Sequence, residues 1–329
     1  MKESDIRNDE NLDLSAHYKK VDQERILRNK ENFVAVACPA CSGTNKEKAW
    51  EKGGFNFDRC LRCETVYVNP RPTEEMLYDH YVNSEEDKYW TEAVYKQSED
   101  NRRKNIFFPR AKRVVELCEK GNVTTETLMD IGAGYGTFAS EIKNLGQFKK
   151  VIAIEPNPEL AQTCREKGIH VIEDFIENVS GELADVATSF ESIEHLFDPT
   201  KFVEQIYKAL KPGGLFILTT PSIKGFDLLL LKEKSENVCA PAHINYFNAQ
   251  SLEMLLSSKG FKVLETLTPG KLDAELVHKK VASGEYDVSN SPFLKMLLID
   301  NWERLGSPLQ DFIADNGLSS HLWVIATKP

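Results

Sequence analysis

Four cysteines near the N-terminus have the spacing of a metal site. They form two C-x-x-C pairs, Cys38-Pro-Ala-Cys41 and Cys60-Leu-Arg-Cys63. Each pair turns two thiolates inward from one tight loop, and two such pairs can hold a tetrahedral zinc ion. Four cysteine ligands leave no open position for water, so we expect the zinc to be structural. Trp50, Phe55 and Phe57 are expected to pack the small sheet of this zinc ribbon.

A glycine-rich turn is the second stretch whose residue types could serve a ligand. An apolar run predicts a strand over Leu128–Ile131, and helical periodicity follows over Thr137–Leu145. Glycine lets the backbone approach a ligand closely, and the helix N-terminus offers free N–H groups. A dinucleotide fingerprint needs its third glycine five residues after the first, and a P-loop needs Gly-Lys-Ser/Thr. Neither pattern is present. The turn and the acid before it comprise Asp130, Gly132, Gly134 and Gly136.

The next strand ends in an acid of its own. Val151–Glu155 is a predicted strand, and a carboxylate at its end can accept hydrogen bonds from both hydroxyls of a ribose. Asn157 and Pro158 then predict the cap and first residue of a helix. A plain acid at a strand end is the alternative interpretation of Glu155.

The D-x-G-x-G-x-G pattern from Asp130 resembles the first motif of class I S-adenosylmethionine-dependent methyltransferases. The resemblance implies that the glycines pass beneath the methionine part of the cofactor and that Asp130 lies beside its amino group. Glu155 and Pro156 then belong to the cofactor site. It also implies that Asp174 meets the adenine amino group and that Phe175 stacks on the ring. The alternative is a tight turn between any strand and helix of an α/β protein.

Candidate catalytic residues follow the fourth predicted strand, Ala184–Phe190. The E-x-x-E-H stretch that holds Glu191, Glu194 and His195 resembles ubiquinone-pathway O-methyltransferases and small-RNA 2′-O-methyltransferases. In a helical turn these three side chains would share one face. They could position a general base or hold Mg²⁺ or Mn²⁺, and His243 is a further candidate. In the alternative interpretation, Glu194 and His195 hydrogen-bond the loops over the cofactor and His243 builds the pocket wall.

The elements that must position these residues alternate as in a parallel sheet with crossover helices. The resemblance implies an α/β fold, a seven-stranded, doubly wound, Rossmann-like methyltransferase sheet with a small N-terminal zinc ribbon. The final strand, His321–Thr327, would lie antiparallel between the fifth predicted strand, Gly214–Thr220, and the sixth, Phe261–Leu267. The expected domains are a charged tail (1–34), the ribbon (35–73), a helical linker that covers the cofactor (74–126), the core (127–268 and 318–329) and an insertion (269–317). The insertion is expected to be a lid or a dimerisation element. In the second case the protein would form a homodimer.

Composition and charge restrict the class of protein. With 41% hydrophobic and 28% charged residues, the 329-residue chain is ordinary globular material. The formal net charge of −10 argues against nucleic acid as the main partner. No apolar run approaches the ~20 residues of a membrane span, and the first residues lack the apolar core of a signal peptide. We therefore expect a cytoplasmic protein whose seven cysteines stay reduced.

The ribbon followed by Asn69-Pro-Arg-Pro-Thr73, ahead of the glycine-rich core, is similar to a bacterial branch of the superfamily. Members of that branch often accompany sugar-nucleotide and surface-polysaccharide enzymes. The resemblance predicts O-methylation of a small-molecule hydroxyl, such as that of a sugar or sugar conjugate. Two alternatives remain at this point. One is a metal-assisted RNA 2′-O-methyltransferase, and the other is a non-catalytic zinc-ribbon adaptor.

Overall fold

The computed structural model describes Glu3 and residues 9–329, with the backbone alone described for residues 9–13 and 96. Among the helices of these residues, none is both long and apolar enough to cross a membrane. Contacts divide the chain into two compact units. The first unit comprises Met1–Val94, Pro221–Ser251 and Leu267–Trp323, and the second comprises Tyr95–Thr220, Leu252–Thr266 and Val324–Pro329.

The strands are β1 (Lys46–Lys52), β2 (Phe55–Cys60), β3 (Val66–Val68), β4 (Thr127–Ile131), β5 (Lys150–Ile154), β6 (His170–Ile172), β7 (Ala184–Phe190), β8 (Leu210–Pro221), β9 (Asn245–Tyr246), β10 (Lys262–Leu267) and β11 (His321–Thr327). The α-helices are α1 (Asp9–Leu27), α2 (Glu74–Asn83), α3 (Glu85–Tyr89), α4 (Lys96–Arg102), α5 (Phe108–Lys120), α6 (Thr137–Leu145), α7 (Pro158–Glu166), α8 (Pro199–Ala209), α9 (Phe226–Leu231), α10 (Ala249–Ser258), α11 (Asp273–Ala282), α12 (Pro292–Lys295) and α13 (Trp302–Asp315). Single π-helical turns occur at Trp90–Tyr95, Arg103–Phe107 and Met296–Asp300.

The first unit contains a small antiparallel sheet with the order β1-β2-β3-β9. Its core is aromatic, as the sequence predicts. Phe55 and Phe57 are almost fully buried, and the Phe57 ring centroid lies 6.0 Å from those of both Trp50 and Tyr246. Three of the strands come from the ribbon, and the fourth comes from a segment far along the chain.

The larger sheet has seven strands in the order β10-β11-β8-β7-β4-β5-β6. β4 pairs in parallel with both β5 and β7, and the pairs β5–β6 and β7–β8 are also parallel. β7 is buried from Ala184 to Ser189, as expected of a central strand covered on both faces. This topology confirms the predicted Rossmann-like fold, with β11 between β10 and β8. The strand order reverses between β4 and β7, and ligands bind at the carboxyl ends of strands at such a point.

Local signals fix several element boundaries. The Asn157 side chain accepts hydrogen bonds from the N–H groups of Glu159 and Leu160, and Pro158 is the first residue of α7. The predicted start of α7 is confirmed. Asp198-Pro199 has the same cap and first-residue pattern, which predicts a helix start, and α8 begins there.

A possible helix is also expected within the charged tail, around residues 16–29, and α1 (Asp9–Leu27) covers most of that range. Two other predicted boundaries are wrong. One helix is predicted over residues 293–305, whereas the structure has a helix that is interrupted at Asn301, between the π-helical turn Met296–Asp300 and α13. The Lys211-Pro-Gly-Gly214 stretch is predicted to end the helix that begins at Pro199, but it lies within β8, because α8 ends at Ala209. The predicted domain limits and the role of residues 269–317 stay predictions.

Candidate active site

The glycine turn after β4 has the backbone that its sequence requires. Gly134 and Gly136 both have a positive φ, +55° and +66°, a backbone conformation that residues other than glycine rarely adopt. A Cβ on Gly136 would lie 2.7 Å from the Cys164 sulfur, so the close packing of α7 also requires glycine there. A Cβ on Gly134 would have nothing within 4 Å among the described residues. Gly134 is therefore restricted by its backbone conformation, and the space beside it is open to a ligand.

Glu155 fixes the turn from the end of β5. One carboxylate oxygen accepts a 2.8 Å hydrogen bond from the Gly134 N–H, and the other accepts a 2.9 Å bond from the Asn157 N–H. The side chain is 1% exposed. A carboxylate has about four lone-pair sites, and these two hydrogen bonds use one on each oxygen. Pro156 connects this acid to the cap of α7 and is half-buried.

Asp130 is buried at the carboxyl end of β4. It accepts a 2.8 Å hydrogen bond from the Thr188 hydroxyl on the neighbouring strand β7. Burial raises the pKa of Asp130 to about 7, and Glu155 acts in the same direction, while Thr188 and Arg110 lower it. The structure thus brings Asp130, Glu155 and the predicted glycines together at the adjoining ends of β4 and β5.

Arg110 on α5 is a cation of this site that no sequence motif indicates. Its guanidinium carbon lies 4.4 Å from the centroid of the Phe190 ring, and Nη2 lies 4.0 Å from a Glu191 carboxylate oxygen. Burial lowers the pKa of Arg110, whereas Glu191 and Asp130 raise it. A sequence signal exists, because Arg110, Val114 and Leu117 share the buried face of α5 at helical spacing.

The adenine-site candidates lie after β6. The Asp174 carboxylate accepts 2.7 Å hydrogen bonds from the Phe175 N–H and from the Asn178 side chain. These bonds close the short 3₁₀ turn over Ile176–Asn178. Asp174 and Phe175 are half-buried, and their contact with adenine stays a prediction.

The E-x-x-E-H stretch does not form the α-helical face considered above. Glu191 has a φ of +51°, and only Ile193–His195 form a single 3₁₀ turn. Glu191 is held in this left-handed conformation by β8, because its N–H donates to the Thr219 carbonyl and its carboxylate accepts a 2.6 Å bond from the Thr219 hydroxyl. Such a conformation costs a non-glycine residue on the order of 1–3 kcal/mol and is frequent at functional sites.

Glu194 and His195 form a pair of unequal exposure. The Glu194 side chain is fully buried and accepts a 2.9 Å hydrogen bond from the Thr220 hydroxyl. The His195 side chain is 40% exposed, and its Nε2 lies 3.8 Å from the other Glu194 oxygen. A buried carboxylate therefore lies behind an accessible imidazole.

His243 belongs to the first unit, whereas the residues above belong to the second. Its Nδ1 lies 3.0 Å from the Asn237 carbonyl. A carbonyl can only accept, so this contact assigns the proton to Nδ1 and leaves Nε2 as the basic nitrogen.

The four ribbon cysteines converge as their spacing predicts. Their sulfur atoms all lie within 4.8 Å of one another, with Cys38 and Cys63 at 3.4 Å and Cys41 and Cys60 at 3.6 Å. Four sulfurs at zinc-bonding distance on a tetrahedron are ~3.8 Å apart. The cluster therefore fits a structural zinc ion.

Comparison with known protein families shows to which family the chain belongs. A family model described as a methyltransferase domain matches residues 90–266, more than half of the sequence. The chain belongs to this methyltransferase-domain family. The matched region includes α5, the glycine turn, Glu155 and the E-x-x-E-H stretch, but not the cysteine cluster.

Relatives of this family member share only part of their length with it. A ubiquinone biosynthesis O-methyltransferase of Xanthomonas oryzae pv. oryzae is 26% identical over 151 residues, which are 43% of this chain and 62% of that protein. A ubiquinone biosynthesis O-methyltransferase of Methylobacterium nodulans is 36% identical over 104 residues, 29% of this chain and 40% of the relative. A solved S-adenosylmethionine-dependent methyltransferase from Clostridium acetobutylicum covers 71% of this chain and 98% of its own, with 13% identity and a TM-score of 0.46.

Proposed function

We propose that this chain transfers a methyl group from S-adenosylmethionine to a hydroxyl oxygen of a small molecule. The observation that carries the proposal is the position of two buried acids beside the glycine turn of a family-matched methyltransferase domain: Asp130 at the end of β4, and Glu155, which accepts from the Gly134 N–H. Two buried acids at adjoining strand ends suit a ligand that has both an ammonium group and a ribose.

Each acid has a separate task in this proposal. The Asp130 carboxylate pairs with the ammonium group of the cofactor, and the Arg110 guanidinium pairs with its carboxylate. Glu155 accepts hydrogen bonds from the ribose hydroxyls while it keeps those from the Gly134 and Asn157 N–H groups. Asp174 and Phe175 take the adenine, as the family resemblance implies.

When bound, S-adenosylmethionine supplies an activated methyl group, so the chain mainly has to align the nucleophile and exclude water. An alcohol must also lose a proton before or during its attack. We propose His195 for this step, because its imidazole is accessible and the buried Glu194 can stabilise the imidazolium that forms. His243 is the second candidate, with Nε2 as the base. Glu191 supports Arg110 rather than the acceptor.

An oxygen acceptor is supported by the two relatives from Xanthomonas and Methylobacterium, because both are named ubiquinone biosynthesis O-methyltransferases. Among such acceptors we propose a sugar or sugar conjugate, because the ribbon and the core are similar to the bacterial branch described above. We also propose that Cys38, Cys41, Cys60 and Cys63 hold a structural zinc ion.

A release assay tests the proposal. Purified protein is incubated with S-adenosylmethionine and panels of nucleotide sugars, glycans, phenols and RNA, and S-adenosylhomocysteine is measured. We expect turnover with a hydroxyl-bearing small molecule, and kcat of His195→Gln reduced by ~10²–10⁴-fold with unchanged cofactor affinity. Titration calorimetry that detects no binding of S-adenosylmethionine would overturn the proposal.

The same assay separates the metal-assisted alternative. If turnover required RNA, and if EDTA at a concentration that leaves zinc bound abolished it until Mn²⁺ was added, a metal-dependent RNA enzyme would replace our proposal. We expect activity to be unchanged by EDTA under these conditions, because His195 has a carboxylate partner of its own.

A further inference from the structure

The ribbon is built into the segment that holds His243. Strand β3 pairs with β9, with Val66 opposite Tyr246 and Tyr67 opposite Asn245, and the Val68 N–H donates to the Ile244 carbonyl at 2.9 Å. β9 follows directly after residues 235–244, which we call the His243 loop. The end of this loop is therefore a strand of the ribbon sheet.

Two side chains reinforce this pairing. Arg71, which is 1% exposed, donates to the Asn245 side-chain oxygen at 2.9 Å and to the Val68 carbonyl at 3.2 Å. Asn248 donates from Nδ2 to the carbonyl of Cys63, one of the four clustered cysteines, at 2.9 Å. Asn248 Oδ1 also accepts from the Ser251 N–H at 2.9 Å, so this side chain caps the first turn of α10.

Tyr246 carries the connection into the loop itself. Its ring is fully buried and faces Phe57 of the ribbon. Its hydroxyl accepts a 3.1 Å hydrogen bond from the Cys239 N–H and lies 3.0 and 3.2 Å from the carbonyls of Asn237 and His243. The Asn237 carbonyl also lies 3.0 Å from His243 Nδ1. One hydroxyl thus organises both ends of the turn that holds the imidazole.

We infer that the ribbon positions the acceptor-side histidine, with Asn248 and Tyr246 as the positioning residues that connect the cysteine cluster to His243. The catalytic meaning of this inference rests on the proposed function, but the coupling between cluster and loop does not. Binding and ordering are reciprocal in such a system, so metal in the cluster and order in the loop should stabilise each other.

Amide hydrogen exchange of the full-length protein tests the coupling without any methyl transfer. Removal of zinc by a chelator, verified by metal analysis, should speed exchange of residues 237–246 by about tenfold or more, whereas β4 and α6 should keep their protection. Unchanged exchange in the loop after complete loss of metal would overturn the inference. Absence of metal from the purified protein would instead contradict the zinc proposal.

Two conservative variants test the named residues with zinc bound. Asn248→Asp keeps the oxygen that caps α10 and removes the donor to Cys63. Tyr246→Phe keeps the ring and removes the hydroxyl. Each should speed exchange of residues 237–243 by about tenfold while the zinc content stays at one equivalent. Exchange at the wild-type rate in both variants would overturn the role of these residues.

A readout specific to His243 completes the test. In Tyr246→Phe, the ¹⁵N shifts of the His243 ring should show loss of the single Nδ1–H tautomer. The pH–rate profile should change while the affinity for S-adenosylmethionine stays at the wild-type value. Retention of one tautomer and of the wild-type profile would contradict the positioning role of Tyr246, whatever the acceptor is.

Discussion

The Arg110 guanidinium lies 4.0 Å from the Glu191 carboxylate at the end of β7, and the same carboxylate accepts a 2.6 Å hydrogen bond from the Thr219 hydroxyl. Glu191 adopts a left-handed backbone conformation at this point. This backbone conformation and the Thr219 hydrogen bond place the Glu191 carboxylate beside the buried Arg110 guanidinium. An arginine fixed in this way presents a planar donor surface that suits the carboxylate of an amino-acid ligand.

Replacement of this arginine should weaken cofactor binding. Arg110→Gln removes a charge-assisted contact worth ~1.5–3 kcal/mol, which corresponds to a rise of about 10- to 150-fold in the Kd of S-adenosylmethionine. Titration calorimetry measures this Kd, and circular dichroism checks folding. Arg113→Gln is the matched control, since Arg113 is on the same helix, its side chain is 41% exposed, and its ion pairs are with the solvent-accessible acids Glu116 and Glu265. A folded Arg110→Gln protein with wild-type affinity would exclude Arg110 from the cofactor site.

The glycine turn permits a comparison of two variants with equal backbone strain. Gly134 and Gly146 have φ values of +55° and +70°, and a Cβ on either would meet no described atom within 4 Å. Gly134→Val and Gly146→Val should therefore each lower the free energy of unfolding by ~1–2 kcal/mol. Only Gly134→Val should abolish binding of S-adenosylmethionine, because Gly146 is at the far end of α6. Similar affinities in the two variants would show that the turn does not contact the cofactor.

Local patterns in the sequence predict much of the fold because they report on local physics. The residue ranges of β7 and α6 are as predicted, and glycines at both ends delimit the helix. The four cysteines also meet as predicted, because a C-x-x-C pair fixes its geometry over a few residues.

The features that local patterns miss depend on contacts between distant segments. The left-handed backbone of Glu191 depends on Thr219, which follows in another strand. β9 is too short to predict from its own residues and exists because β3 pairs with it. Arg110 looks like any surface arginine until the faces of α5 are assigned. Each of these features lies at the proposed active site or at the ribbon, where tertiary contacts override local preference.

Loss of one ribbon cysteine should remove the metal and destabilise the ribbon. Cys38→Ser leaves three thiolates, so we expect loss of about one equivalent of zinc and a lower melting temperature, since zinc binding supplies folding free energy. Metal analysis and calorimetry measure the two effects. Cys118→Ala is the control, because Cys118 is equally buried but is on α5, away from the cluster. Normal zinc content and stability in Cys38→Ser would contradict a structural zinc site.

The raised pKa of Asp130 makes cofactor binding sensitive to pH. Burial raises this pKa from 3.8 to about 7, so the folded protein retains the proton that the unfolded chain loses near pH 4. The stability that this proton contributes is fully present below pH 4 and is lost as the pH rises towards 7. A cofactor ammonium group beside Asp130 favours the charged carboxylate, so binding should release a proton. The Kd of S-adenosylmethionine should then fall by up to about tenfold per unit between pH 5.5 and 7, and level off above it.

The control for this effect is Asp130→Asn, which keeps an acceptor for the Thr188 hydroxyl but cannot titrate. Its affinity should be lower and independent of pH between 5.5 and 7.5, a range in which the ammonium group of the free cofactor stays mostly protonated. Calorimetry in two buffers of different ionisation enthalpy measures the number of protons released. A wild-type protein that releases no proton at pH 6 would place the ammonium group elsewhere, and the assignment of Asp130 would then fall even if the cofactor binds.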